Sequence, residues 1–150
     1  TTGYDLYSVA MLSATNGWAV GYEGRIYHYD GANWSLQATT AEGLTLQSIA
    51  MLSATDGWAV GDEGRIYHYD GSNWSLHTTT AEGSNLESVA MLSATEGWVV
   101  GFDGHIYHYD GSNWSLHTTT SEGSPLLSVD MLSATDGWAM GTYGRIYYLD

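Results

Sequence analysis

One unit of forty residues is written almost four times in this chain. Trp18, Trp58, Trp98 and Trp138 follow one another at a constant spacing of forty, and Trp34, Trp74 and Trp114 repeat the same spacing. The copies run 1–40, 41–80, 81–120 and 121–150, with no linker or low-complexity segment between them. The second and third copies are identical at thirty-one of forty positions, the mark of recent duplication of one unit. Units this short cannot each close a core alone. They become stable by burying their faces against one another, so residues 1–150 form one domain built of stacked repeats.

Within a unit the residues read as four short strands. In the second copy these are Leu46–Leu52 (strand A), Gly57–Gly61 (B), Arg65–Asp70 (C) and Asn73–Thr80 (D). Each is rich in β-branched or aromatic residues, and the separators "SATDG", "DEG" and "DG" are turn chemistry, with glycine supplying positive φ. No helical period competes. Pro125, the one proline, falls between copies, where it interrupts no ladder. Four antiparallel strands in forty residues is the size of a propeller blade. The expected fold is all-β, a β-propeller with about 3.75 blades per chain, the last lacking its outer strand.

Composition narrows the partners. Seventeen Asp and Glu stand against three Arg and no Lys, a formal net charge of −14. Such a surface repels phosphate backbones and anionic lipid heads, which argues against nucleic acid and against a polybasic membrane contact. No apolar run approaches the ~20 residues that span a bilayer. There is no cysteine, hence no disulfide framework and no thiol chemistry. The chain opens on Thr1 rather than methionine, so a processed form, a fragment and an engineered product all stay open.

The run "SVAML…GWAVG…G.IYHYDG..W" resembles the BNR-like propeller repeats of bacterial photosystem II stability/assembly-factor-like proteins, across the whole chain. The resemblance implies blades with strand A innermost and no single function. In many BNR repeats the tryptophan follows the turn aspartate by five residues; here Trp74 follows Asp70 by four. The resemblance also leads one to expect a basic patch in the assembly factors, which three arginines do not supply, so a photosystem role is not carried over. An acidic repeat resembling bacterial surface-type propellers leads us to expect an extracellular or cell-surface setting.

The copies offer a comparison with one another. Copies two and three differ mainly in the D-to-A connection (Leu44/Ser84, Thr45/Asn85, Gln47/Glu87) and around the B-to-C turn (Asp62/Phe102, Glu63/Asp103, Arg65/His105). In an up-and-down blade these connections share one face of the disc, and the nearly invariant A–B and C–D turns share the other. The variable face carries Tyr4, Tyr7, Tyr22, Arg25, Asp62, Arg65, Phe102, His105, Tyr143 and Arg145. Aromatics beside arginines and carboxylates suit a glycan or a protein ligand. Loop drift is the alternative, since connections vary by default.

Other recurrent groups read as structural. Arg25, Arg65 and Arg145 hold one position in three blades, and sialidase propellers grip a carboxylate with three arginines. One residue copied around a ring supplies no separate nucleophile and acid, so no catalytic residue is assigned, and Glu23 and Glu63 are expected partners of Arg25 and Arg65. His28, His68 and His108 recur on strand C, too far apart for one metal ion and better placed for hydrogen bonds between blades. His77 and His117 are expected at the rim. Asp30, Asp70 and Asp110 precede glycine in a turn, where aspartate caps its own backbone. Trp58 and its equivalents are expected to fill the core between blades, and Trp74 and its equivalents to pack over the C–D turn. No metal and no cofactor is implied.

The fourth copy stops before strand D, leaving Ile146, Tyr147, Tyr148 and Leu149 as an outer edge more apolar than its counterparts, a candidate assembly edge. The N-terminal "TTG" is too short to cover it. Two chains closing an eight-bladed ring is the expected assembly, with a monomeric four-bladed disc as the alternative. Two functions follow: a non-enzymatic propeller that binds glycan or protein through its variable face, or a self-assembling structural module, natural or engineered, with no ligand beyond its own copies.

Overall fold

The computed structural model describes residues 3–150; Thr1 and Thr2, part of the "TTG" expected to be too short to cover the last blade, lie outside the described residues. The first unit folds as β1 (Leu6–Ser13), β2 (Asn16–Gly21), β3 (Arg25–Tyr29) and β4 (Trp34–Thr39). The second gives β5 (Leu46–Ser53), β6 (Asp56–Gly61), β7 (Arg65–Tyr69) and β8 (Trp74–Thr79). The third gives β9 (Leu86–Ser93), β10 (Glu96–Gly101), β11 (His105–Tyr109) and β12 (Trp114–Thr119). The fourth has only β13 (Leu126–Ser133), β14 (Asp136–Gly141) and β15 (Ile146–Leu149). Each unit is one antiparallel up-and-down sheet in chain order. The strands expected from the sequence are all present, with bounds shifted by one residue.

The turns show why the units repeat so closely. The Asp30 carboxylate accepts the N–H groups of Ala32 and Asn33, both at 2.8 Å, and Asp70 and Asp110 do the same in their blades. Those N–H groups, that of Asn33 first, hold the Asp30 carboxyl below the ordinary range. The B–C turn departs from expectation. It needs two successive left-handed residues, and the first is not glycine: Glu23, Glu63, Asp103 and Tyr143 all have φ between 56° and 60°. The glycine after each takes the second. Non-glycine residues in that region are uncommon, and here all four copies share the conformation.

The cores lie between blades. One buried cluster joins Trp18, Val20 and Ile26 of the first blade to Leu46, Ile49, Ala59 and Tyr67 of the second. Two more join the second blade to the third and the third to the fourth. The A strands line the inside and are tied by one repeated bond: Ser8 Oγ accepts the N–H of Ile49, Ser48 that of Val89 and Ser88 that of Val129, each at 3.2 Å.

The four blades do not close on themselves. β1 packs on β5, β5 on β9 and β9 on β13, but no comparable packing joins β13 to β1 among the described residues. The monomeric four-bladed disc is therefore corrected to an open arc with two uncovered blade faces. Leu6 and Val9 on the first face are 51% and 60% exposed, whereas their equivalents Leu46 and Ile49 are buried. Trp138 on the last face is 50% exposed; Trp58, its equivalent, is buried.

Candidate functional site

Two surfaces stand out: the loop face carrying the variable residues and the pair of open blade faces. On the loop face, the B–C turn docks onto the preceding D–A connection through backbone bonds such as Asp62 N–H to the Thr45 carbonyl at 3.0 Å. The variable side chains also meet one another. Gln47 donates to Asp62 within the second blade at 3.3 Å, and Ser84 donates to Asp103 within the third at 2.7 Å. Asn85 accepts the Glu63 N–H across the junction at 3.1 Å. Much of the variation is thus paired.

The arginines find their partners within their own units. Arg65 contacts Glu42, on the D–A connection that opens its own unit, at 3.0 Å and Glu63 at 3.7 Å. Glu42 also accepts the Tyr67 hydroxyl at 2.9 Å, and that bond, ahead of Arg65, holds its carboxyl below the ordinary range. Tyr107 donates to Glu82 and Tyr147 to Glu122 in the same manner. His105 replaces the arginine in the third blade, half-buried beside Tyr107. Arg145 donates to Ser124. Arg25 pairs with Glu23 at 3.5 Å and lies 3.6 Å from the centre of the Tyr4 ring. The repeated Glu42/Glu82/Glu122 position escaped the sequence reading. A glutamate recurring twenty-three residues before Arg65, His105 and Arg145 was the available signal.

The aromatic members of the candidate face are open to solvent. Tyr4, Tyr22 and Phe102 are exposed, and Tyr143, at the tip of its turn, is 87% exposed. Asp62 is half-buried. Tyr7 stands apart from this group. It lines a hollow of about 310 Å³ on the open face of the first blade, with Leu6, Val9 and Trp34.

Each recurrent histidine bonds within its own blade, which corrects the expected bond between blades. His28 meets Asn16, His68 meets Asp56 at 2.9 Å and His108 meets Glu96 at 2.6 Å, while the ring packs on the tryptophan of the same sheet. The cause is the antiparallel register, which sets His68 opposite Trp58 and close to the start of β6. His77 and His117 lie at the rim, edge-on to Trp58 and Trp98.

The second tryptophan set reaches the neighbouring blade as well. Trp74 directly follows the C–D turn and lines a hollow with Ser72 and Asn73. It stacks on Tyr69 at 5.3 Å and meets Trp18 of the preceding blade edge-on at 5.8 Å. Trp114 repeats this against Tyr109 and Trp58. At the outer edge, Ile146 and Tyr148 are exposed and Tyr147 is half-buried. Leu149 is buried in the cluster with Trp98, taking the place that Tyr109 fills against Trp58. Its side chain is core, and only the backbone of β15 offers an edge there.

No protein-family model matches the chain, and no curated protein matches it in sequence. Solved structures do resemble it. YCF48 from Cyanidioschyzon merolae superposes with a TM-score of 0.75 at 15% identity, over 99% of this chain and 52% of that one. The computationally designed Ika4 protein gives 0.75 at 13% identity, over 100% and 94%. The WD40 β-propeller domain of Doa1 gives 0.78 at 13% identity, over 97% and 51%. The chain thus spans about half the length of YCF48 and Doa1 and nearly all of Ika4. Identities this low speak to fold alone, and with the sheet order and the buried junctions they establish it: the chain is an arc of β-propeller blades, three complete and the fourth lacking its outer strand.

Proposed function

We propose that this chain is a non-enzymatic β-propeller scaffold that works as half of a ring, two copies closing eight blades with each last blade seated on the other's first. One observation carries the reading. The open faces at the two ends are made of residues whose equivalents in the inner blades are buried against a neighbour. Apolar faces of this kind on a soluble arc favour a partner, and a head-to-tail contact repeated twice closes with two-fold symmetry. The arginines support a structural role, each held in its own blade by partners used for packing. Light scattering over a concentration series tests the ring. The expected mass at high concentration is twice 16.3 kDa, and a single-chain mass at every concentration refutes it.

A second reading is favoured by the exposure of Tyr4, Tyr22, Phe102 and Tyr143 on the loop face: the ring presents this face to a glycan or protein ligand, in an extracellular or cell-surface setting. A glycan array and a pull-down test it. Tyr22→Ala and Tyr143→Ala should lower any binding found, and a blank in both assays removes the reading.

A further inference from the structure

We propose, resting on the two-copy ring, that the junction between chains repeats the geometry of the internal junctions, and that Asp130 on the last blade holds it weaker than any of them.

The internal junctions supply the template. Ser8 Oγ accepts the N–H of Ile49, and the same bond recurs from Ser48 to Val89 and from Ser88 to Val129. Ala10 shares a cluster with Met51, Ala50 with Met91 and Ala90 with Met131. Trp18 lies 4.8 Å from Tyr69 and 5.8 Å from Trp74, and Trp58 lies 4.8 Å from Tyr109 and 5.6 Å from Trp114. Carried one blade further, the same relation joins Ser128 Oγ to the N–H of Val9 in a second copy. It seats Trp138 on Tyr29 and Trp34 of that copy. Val9, Met11, Trp34 and Trp138 are all exposed in the single chain, as the relation requires.

One position breaks the template. Residues 10, 50 and 90 are alanine, packed against the three clusters; residue 130 is aspartate. Asp130 lies opposite Trp138 on β14, and the relation sets it against Met11 and Val9 of the second copy. Neither Met11 nor Val9 carries a cation or can donate a hydrogen bond from its side chain to a carboxylate, so seating the charge against them is unfavourable. The alanines at this position are half-buried, so the carboxylate keeps part of its water and weakens the junction without forbidding it. Met140 in place of valine and Tyr148 in place of histidine add apolar surface to the same face and oppose the aspartate. The result is a ring that forms and parts with concentration, while the inner junctions stay closed.

The dissociation constant, measured by sedimentation equilibrium for the wild type, Asp130→Ala and Asp130→Asn, tests this, with Val9→Asp as a control on the opposite face. Asp130→Ala should associate at least about tenfold more tightly, Asp130→Asn should fall between, and Val9→Asp should weaken association by a similar factor. Thermal melts of the dilute proteins confirm that each variant folds. If the wild type dimerises and Asp130→Ala is no tighter, the role of Asp130 is overturned and the ring stands. If neither associates at any concentration, the ring itself falls, and this junction with it.

Discussion

Trp58 and Trp138 occupy the same place in two blades, one covered and one bare, so truncating each measures what a neighbouring blade contributes. A tryptophan side chain offers roughly 200 Å² of largely apolar surface, worth about 5 kcal/mol when fully buried at ~25 cal/mol per Å². Trp58 is 1% exposed and takes nearly all of that; Trp138 is 50% exposed and takes about half. Trp58→Ala also leaves a cavity ringed by His68, Tyr109 and Trp114, which places it at the upper end of the ~3–5 kcal/mol range for such truncations. Trp138→Ala should cost about 2 kcal/mol less. The assay is urea unfolding followed by far-UV circular dichroism, in protein dilute enough to be a single chain. If the two variants lose equal stability under those conditions, the last blade is already covered in the single chain and the open arc is wrong. At concentrations where the ring forms, the gap between them should narrow as a second copy covers Trp138.

Three further outcomes follow from the junctions. Gly61→Ala should destabilise by about 2 kcal/mol or more in urea titrations: a Cβ there falls on the Thr45 carbonyl oxygen, and backbone cannot yield as a side chain can. Tyr67→Phe should lower stability near neutrality by removing the hydroxyl that Glu42 accepts, read as an earlier urea midpoint. Because that bond lowers the carboxyl's pKa in the folded chain, the contribution is present above the unfolded value near 4.5 and disappears as the pH falls through the lowered folded one. Wild type and variant should therefore converge in acid melts; a gap that persists there contradicts the assignment. Glu87→Gln should raise the melting temperature slightly, worth about 0.5–1 kcal/mol. Burial first, and Asp62 second, push the Glu87 carboxyl up, so its ionised form is held against resistance at neutral pH. The second copy already carries Gln47 at this position, bonded to Asp62.

The candidate loop face was only partly legible. The exposed aromatics were readable because they interrupt turns between otherwise constant strands. The engagement of Arg65 with Glu42 was not, since two strands separate them in the chain and they meet only when the D–A connection folds back beside β7. His68 was assigned across the junction for a related reason. Residue type shows that an imidazole in a half-buried strand wants a partner, but the antiparallel register chooses Asp56. Leu149 looked like part of a sticky edge, yet its side chain completes the core around Trp98.

The period of forty, the four strands of each unit and the Asp70-type turns could be read from the residues, because each rests on interactions within a few positions of the chain. A strand is specified by its own residues and a tight turn by its own backbone angles. Assembly is another matter. The same unit written four times is compatible with a closed disc or with an open arc, because the period records how long a blade is and not how sharply successive blades turn. The turn is set by how Trp18 seats on Tyr69 and Trp74, how Ser8 reaches Ile49, and how far the inner strands are thereby spaced. Those contacts leave Leu6, Val9 and Trp138 uncovered, and they arise from side chains fifty or so residues apart meeting across a gap that no local pattern encodes.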